Sequence, residues 1–121
     1  MIDHVGFNVS DFPASLSFYT AALKPLGYDV IGSGEGWAMI GKPGGSRLWI
    51  GQYGPAATPI HLAWAAELRD HVDAFHEAAL TAGGRDNGAP GVRTNYAPNY
   101  YAAFVLDPDG HNVEAVCYAS A

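Results

Sequence analysis

Three residues of this sequence have side chains that could bind one metal ion together: His4, His61 and Glu114. Two imidazoles and one carboxylate suit divalent Fe, Mn, Ni, Co or Zn, and three protein ligands leave coordination positions open for water or substrate. Glu114 stands in an apolar run near the end of the chain, where an ionised carboxylate without a partner is strongly disfavoured. Such a residue favours a nearby cation. The sequence therefore predicts one divalent metal ion, without choosing among these five.

The two histidines hold equivalent positions in an internal repeat. When His4 is placed over His61, further identical residues coincide, namely Phe18 with Phe75, Ala22 with Ala79, Leu23 with Leu80 and Gly27 with Gly84. A single histidine in a strand is more often structural than a ligand, but two at matched positions favour a shared role. The chain, residues 1–121, is predicted to form one domain from two modules, at about 1–54 and 58–121.

Each module is predicted to begin with a short strand and to continue into an amphipathic helix. Ser10 or Asp11 can cap the first helix, and Pro13 is tolerated in its first turn. Gly83 and Gly84 can end the second helix. The expected apolar faces are Phe12, Leu16, Tyr19 and Leu23 in the first helix and Leu68, Val72, Phe75 and Ala79 in the second. Each helix should therefore pack on a sheet.

Short strands are expected after each helix. Residues 107–110 join the last two strands, with Pro108 where a type I turn favours it. Residues 85–98 look irregular, so the third element of the second module is only weakly marked. The predicted strands after the helices are 28–31, 37–40, 47–52, 100–106 and 112–118. The predicted fold class is therefore α+β, with two βαβββ modules.

The alternation of side chains across a strand places each histidine in a row of small residues. His4 shares its face with Gly6, and His61 shares its face with Ala63, while bulkier residues between them point toward the helix. Small neighbours leave space beside a histidine, which a structural residue of the core would not need. Each histidine is therefore expected on the side of its sheet that faces away from the helix.

Glu114 is also expected beside a small residue, in the last hairpin. Pairing Leu106 with His111 sets Glu114 opposite Ala103 and puts Tyr101 on the same face. The carboxylate would then border open space, as the two histidines do. The other histidines are expected to be exposed on a helix surface or beside a turn: His71, His76 and His111.

The charge and composition of the chain exclude several classes of function. Twelve acidic residues outnumber six basic ones, and a net charge of −6 argues against nucleic acid, whose binding depends on neutralising phosphates. No apolar run approaches the roughly 20 residues that cross a bilayer, and residues 2–5 do not read as a secretory leader, so a cytoplasmic protein is expected. Cys117 is the only cysteine, which excludes an internal disulfide and a cysteine-rich zinc site.

Candidate substrate-binding residues are concentrated in one loop and the strand after it. This segment combines anion-binding, hydrogen-bonding and stacking side chains, namely Arg93, Asn95, Tyr96, Asn99, Tyr100 and Tyr101. Trp49 of the fourth strand is a further candidate. The alternative for any one of these residues is an ordinary long surface loop held by aromatic side chains. The sequence predicts a small-molecule ligand here and does not name it.

Four motifs spread over nearly the whole chain are typical of one superfamily. They are Ile2-Asp3-His4-Val5-Gly6-Phe7, Phe18-Tyr19 through Leu26-Gly27, Pro59-Ile60-His61-Leu62-Ala63, and Asp107-Pro108-Asp109-Gly110-His111-Asn112-Val113-Glu114. By these motifs the sequence resembles the glyoxalase, bleomycin-resistance and dioxygenase group, also called the vicinal oxygen chelate superfamily. The segment 87–104 is similar to a subgroup of small bacterial members.

The resemblance implies two βαβββ modules paired into an open eight-stranded mixed barrel around a metal. It also implies His4, His61 and Glu114 as the metal ligands from the first, fifth and eighth strands, and a homodimer. Members of the glyoxalase I type carry a fourth ligand, a glutamate on the fourth strand, but residues 47–52 hold no carboxylate. We therefore expect weak or no isomerisation of hemithioacetals, because the natural base for moving the proton is missing.

Two kinds of function follow from these residues. The first is a divalent-metal-dependent enzyme, a lyase or isomerase, a dioxygenase or a transferase, whose small substrate binds the metal through two oxygens. The second is a binding protein of the bleomycin-resistance kind, which holds a planar drug and performs no chemistry. Aromatic side chains that could serve it are Trp37, Trp49, Tyr96 and Tyr100. The matched histidines and the buried glutamate favour the enzyme.

Overall fold

The computed structural model describes residues 2–121, which contain two α-helices, a short 3₁₀ helix and eight strands. The first half consists of β1 (His4–Asn8), α1 (Phe12–Leu23), the 3₁₀ helix (Lys24–Leu26), β2 (Asp29–Gly34), β3 (Trp37–Gly41) and β4 (Arg47–Gly51). The second half consists of β5 (His61–Ala65), α2 (Arg69–Thr81), β6 (Arg85–Val92), β7 (Tyr101–Leu106) and β8 (Asn112–Cys117). The predicted α+β class and the two βαβββ modules are confirmed.

The segment 85–98 is not irregular throughout, contrary to the prediction, because its first part forms β6 and pairs with β7. The register of this pairing shifts between Asp86 and Gly88 and again between Gly88 and Gly91. Bulges of this kind break the alternation of side chains from which a strand is predicted. The third strand of the second module is therefore present but poorly marked in the sequence.

The strands form two four-stranded mixed sheets, one in each module. Their orders are β1-β4-β3-β2 and β5-β8-β7-β6, and in both sheets the first strand of the module runs parallel to the last. Within residues 2–121, no strand ladder joins the two sheets. β1 and β5 are therefore edge strands, each with one side unpaired.

The two sheets and both helices share one apolar core. Phe18 of α1 and Phe75 of α2 are completely buried in it, and helix-facing strand residues such as Phe7 and Val113 are buried beside them. Leu68 is an exception to the predicted helix face, because it precedes α2 in an extended conformation and is exposed. Since the helix-facing sides of both sheets pack into this core, their opposite sides turn away from it.

His111 is buried, contrary to the prediction of solvent exposure. Its Nδ1 accepts a hydrogen bond from the backbone N–H of Ile60 at 3.0 Å. A partner so distant in the sequence cannot be recognised from the composition of a turn. The bond fixes the start of β5, and with it His61, beside β8. His71 and His76 are also less exposed than predicted, because both are half-buried on α2.

Asp107 is a buried carboxylate that organises the turn between β7 and β8. Its Oδ1 accepts hydrogen bonds from the backbone N–H groups of Asp109 at 2.9 Å and of His111 at 2.8 Å. Its Oδ2 accepts a hydrogen bond from the hydroxyl of Tyr19 in α1. Burial, together with the Asp107 carboxylate, raises the pKa of Tyr19, so the phenol stays protonated and remains a donor. The turn is thus tied to the helix of the first module.

Tyr19→Phe is expected to lower the free energy of unfolding by about 1–3 kcal/mol, because a buried carboxylate loses one of its donors. Urea unfolding measures this change. Tyr53→Phe is the control, since the Tyr53 hydroxyl donates to the backbone oxygen of Glu35 at an exposed position. Its effect should stay within about 0.5 kcal/mol. Equal losses for the two variants would show that the contact with Asp107 does not stabilise the fold.

Candidate functional site

His61 and Glu114 lie side by side in the second module. β5 and β8 run parallel, with Ala63 opposite Glu114 and His61 opposite Asn112. His61 Nε2 lies 2.8 Å from Glu114 Oε1. The side chain of Glu114 is only 1% exposed, whereas that of His61 is 54% exposed. The histidine therefore lies at the surface, on the face of the sheet that turns away from the core, and the carboxylate lies beneath it.

Glu114 stands opposite Phe104 rather than Ala103, contrary to the predicted register. The loop between β7 and β8 takes in His111 as well as residues 107–110, which moves the pairing by one residue. A shift of one residue exchanges the two faces of a strand. The small neighbour of Glu114 is therefore on β5 and not on β7.

Tyr100 contacts the same carboxylate. Its hydroxyl donates a hydrogen bond to Oε2 of Glu114, the oxygen that does not face His61. Burial, together with the Glu114 carboxylate, raises the pKa of Tyr100, so the phenol keeps its proton. Tyr96 and Tyr118 pack edge-on against its ring at centroid distances of 5.1 and 5.3 Å. Both carboxylate oxygens thus have a partner within the second module.

A cavity of about 400 Å³ lies on the same face of the second sheet. Its lining consists of Asn87, Gly88, Arg93, Tyr96, Phe104 and Asn112. Of the predicted substrate residues, Arg93 and Tyr96 belong to this cavity. Asn95 is exposed in the turn between them. Tyr101 points to the helix side, where its hydroxyl donates to Asp73 of α2 at 2.6 Å, so the structure does not bring it to this face.

His4 lies on the first sheet, on the exposed face that turns away from the core. Its Nδ1 donates a hydrogen bond to Asp3 Oδ1 at 2.8 Å, and the guanidinium of Arg47 donates to the same oxygen. The imidazole of His4 and the guanidinium of Arg47 hold the pKa of the Asp3 carboxyl below its usual value. This chain of contacts orients the ring of His4 and leaves Nε2 as the nitrogen for a further ligand.

One chain does not bring all three predicted ligands together. His61 and Glu114 are in contact, but within residues 2–121 no group of three His, Cys, Asp or Glu side chains is placed to hold one ion. His4 belongs to the other sheet, and the histidine-bearing faces of both sheets turn away from their shared core. The predicted ligands are thus divided into a pair on one surface and a single histidine on another.

Trp49 occupies the position in the first sheet that Glu114 occupies in the second. Gly6 of β1 pairs with Trp49 of β4, just as Ala63 of β5 pairs with Glu114 of β8. The indole stacks against Tyr53 at a centroid distance of 6.3 Å and an interplanar angle of 22°. The repeat is therefore asymmetric at this point, with an aromatic surface where the second module has a carboxylate.

A model of the Glyoxalase/Bleomycin resistance protein/Dioxygenase superfamily matches residues 1–115. The chain belongs to this superfamily. The matched range covers nearly all of both modules and includes His4, His61 and Glu114. A search of curated protein sequences found no match to this chain. No helix within residues 2–121 is long and apolar enough to cross a membrane.

Solved structures similar to this superfamily member include a glyoxalase/bleomycin resistance protein from Albidiferax ferrireducens T118. It is 29% identical, with 97% of this chain and 98% of that chain covered and a TM-score of 0.83. A glyoxalase/bleomycin resistance protein/dioxygenase family enzyme from Burkholderia phytofirmans PsJN is 17% identical, with 97% of this chain and 98% of that chain covered and a TM-score of 0.74. The oxidase ChaP-H2 is 22% identical, with 97% of this chain and 92% of that chain covered and a TM-score of 0.70. The last two show similarity of fold alone.

Proposed function

We propose that this chain is a divalent-metal-dependent enzyme of the superfamily that acts on a small, oxygen-bearing substrate. His61 and Glu114 of one chain and His4 of a second copy would hold the metal. The proposal rests chiefly on one observation, the nearly completely buried Glu114 carboxylate beside an exposed imidazole.

The donor atoms fit a divalent cation. Within residues 2–121 the only ionic partner of Glu114 is the imidazole of His61, not a lysine or an arginine. An ionised carboxylate that is so deeply buried is costly without a full positive charge nearby. Nitrogen and carboxylate ligands suit Fe, Mn, Ni, Co and Zn alike. When bound, such an ion would act as a Lewis acid that stabilises negative charge on substrate oxygens.

Neighbouring residues orient the proposed ligands in both modules. Tyr100 donates to Oε2 of Glu114 and so fixes the rotation of the carboxylate. Asp3 accepts the Nδ1 proton of His4 and thereby fixes the ring and its tautomer. A carboxylate or hydroxyl partner of this kind raises the basicity of a ligand or restricts its orientation, and is a regular feature of protein metal sites.

A second copy of the chain is proposed to supply His4 and to form a homodimer. β1 and β5 each have an unpaired edge. A groove of about 460 Å³ between them is lined largely by apolar side chains, among them Val5, Leu62 and Trp64. Proteins generally cover such edges and apolar grooves. A dimer with twofold symmetry could cover both grooves and bring the His4 face of one chain to the His61 face of the other.

The stacked aromatic side chains on the first sheet favour a second candidate function. The rings of Trp49 and Tyr53 stack nearly parallel to each other. Trp37 lies on the neighbouring strand β3, opposite Gly51 of β4, the strand that also carries Trp49. A planar molecule could bind on such a surface without any chemistry, as the bleomycin-resistance interpretation requires. This function would not need the pairing of His61 with Glu114.

Metal analysis of the full chain, purified without an affinity tag, distinguishes the two functions. After incubation with each of the five metals and removal of free ions by dialysis, the enzyme proposal expects about one ion per chain for at least one metal. A protein that retains none of the five would contradict the enzyme proposal and would favour the non-catalytic binder.

A further inference from the structure

We infer that the cavity of about 400 Å³ beside Glu114 binds the carboxylate of a small aromatic acid, with Arg93 as the anion-binding residue. As a statement about the enzyme's substrate, this inference rests on the proposed function. As a statement about binding, it can be tested on protein without metal.

The cavity adjoins the proposed ligands. Phe104 of its lining pairs directly with Glu114 across β7 and β8. Asn112 of its lining pairs with His61 across β5 and β8. All four residues share one face of the sheet, since alternate residues of a strand point to the same side. A molecule in the cavity would therefore lie on the same face as His61 and Glu114, with Phe104 and Asn112 next to them.

Arg93 gives the cavity a positive charge. Its side chain is half-buried, and within residues 2–121 the ion pairs of the chain do not include it. One guanidinium nitrogen, Nη2, donates to the backbone oxygen of Ala89 at 2.6 Å, which holds the group in place and leaves other N–H donors for a ligand. Within residues 2–121, Arg69 and Arg85 also lack an ion-pair partner, but Arg93 is the arginine that lines this cavity. Planar guanidinium groups bind carboxylates through paired hydrogen bonds.

Two glycines of β6 make room for this guanidinium. A Cβ atom at Gly88 would lie 2.8 Å from Phe104 Cδ1 and 3.2 Å from Arg93 Nη2. A Cβ atom at Gly91 would lie 3.0 Å from Arg93 Nη1. A side chain at either position would require the guanidinium to shift, and at Gly88 the ring of Phe104 would have to shift as well. The backbone of β6 thus lies close to both Arg93 and Phe104.

The other lining residues favour a planar ligand with hydrogen-bonding oxygens. Asn87 Nδ2 donates to Asn112 Oδ1 at 3.2 Å, which leaves the amide N–H₂ of Asn112 as a donor. Phe104 and Tyr96 supply aromatic surface, and the Arg93 guanidinium lies 5.5 Å from the centroid of Phe104. A positive group, amide donors and aromatic walls together match an aromatic carboxylate better than a neutral or cationic molecule.

The experiment uses the EDTA-treated full chain, with benzoate as the probe and benzamide as its neutral counterpart of similar shape. Binding is followed by chemical-shift changes in amide NMR spectra. We expect saturable binding of benzoate and at least about tenfold weaker binding of benzamide, because the neutral amide lacks the charge that strengthens a hydrogen bond to the guanidinium. Arg93→Gln should weaken the binding of benzoate by a similar factor for the same reason. The shifts should be largest at residues of β6 and β7 around the cavity.

Arg69→Gln is the matched control, because the Arg69 guanidinium also lies over an aromatic ring, that of Tyr101, but on the helix side of the sheet. It removes the same charge and should bind benzoate as the unmodified chain does. Arg93→Lys, which keeps the charge, should bind more tightly than Arg93→Gln and shows that the fold is intact. Any of three results would overturn the inference. They are equal affinity for benzoate and benzamide, an unchanged affinity of Arg93→Gln for benzoate, and no saturable binding of benzoate. A chain that takes up no metal but binds benzoate through Arg93 would refute the proposed function alone.

Discussion

Glu114→Ala is expected to weaken divalent metal binding by at least about 100-fold. Loss of a residue that only supports a ligand typically costs about 10–100-fold in affinity, and loss of one of three direct ligands should cost more. His61→Ala and His4→Ala should have effects of the same size, although His4 lies on a different sheet from the other two. Titration calorimetry of EDTA-treated protein measures each affinity.

His76→Ala is the control for these variants. His76 Nε2 lies 2.9 Å from Asp86 Oδ1, so it also forms a histidine–carboxylate pair, but one whose carboxylate is exposed. Its loss should leave metal binding unchanged. If His76→Ala removes the metal as completely as His4→Ala, the assignment of the ligands is wrong. Glu114→Gln keeps the shape of the side chain and can still accept the bond from Tyr100, so it separates loss of the ligand from loss of the fold.

A mixture of His4→Ala and Glu114→Ala chains is expected to recover about a quarter of the metal-binding capacity of the unmodified protein. If each site combines His4 of one chain with the pair of the other, a mixed dimer carries one doubly altered site and one intact site. Random exchange of subunits makes half of the dimers mixed, which gives this fraction. Light scattering should show twice the mass of one chain for each protein before mixing.

The matched control for this experiment mixes His61→Ala with Glu114→Ala. These two residues belong to the same half of the site, so no arrangement of the two chains restores an intact one. Recovery in the first mixture and not in the second would support a site shared between chains. No recovery in either mixture, or a strictly monomeric protein, would reject the second copy as the source of His4.

The sequence was sufficient to predict the repeat and the elements that carry the predicted ligands. His61 and Glu114 were assigned to the same site from the small residues expected beside them and from the superfamily resemblance. The structure brings them together because β5 and β8 are neighbours in the sheet. The position of His4 relative to this pair could not be predicted. It depends on how the two modules pack through their shared core, and the periodicity within each strand contains no information about that packing.

Errors of detail came from single residues whose partners are distant in the sequence. The register of the last hairpin was wrong by one residue because His111 belongs to the loop, and this exchanged the faces of β7. Tyr101 was predicted to bind substrate because it follows the candidate loop and was expected on the same face as Glu114. In the observed register its side chain points to the other face and contacts Asp73. The contact of Tyr100 with Glu114 could not be foreseen from the composition of a loop, although that composition did single out Tyr100.

Anomalous diffraction from crystals of the metal-loaded protein tests the central claim most directly. The proposed site predicts one strong anomalous peak per chain, within bonding distance of His61 and Glu114 of one chain and of His4 of a second chain. Three results would contradict it. The peak could lie at the pair of His76 and Asp86, it could lie beyond bonding distance of His4 of either chain, or no peak could be found near Glu114 after loading with any of the five metals.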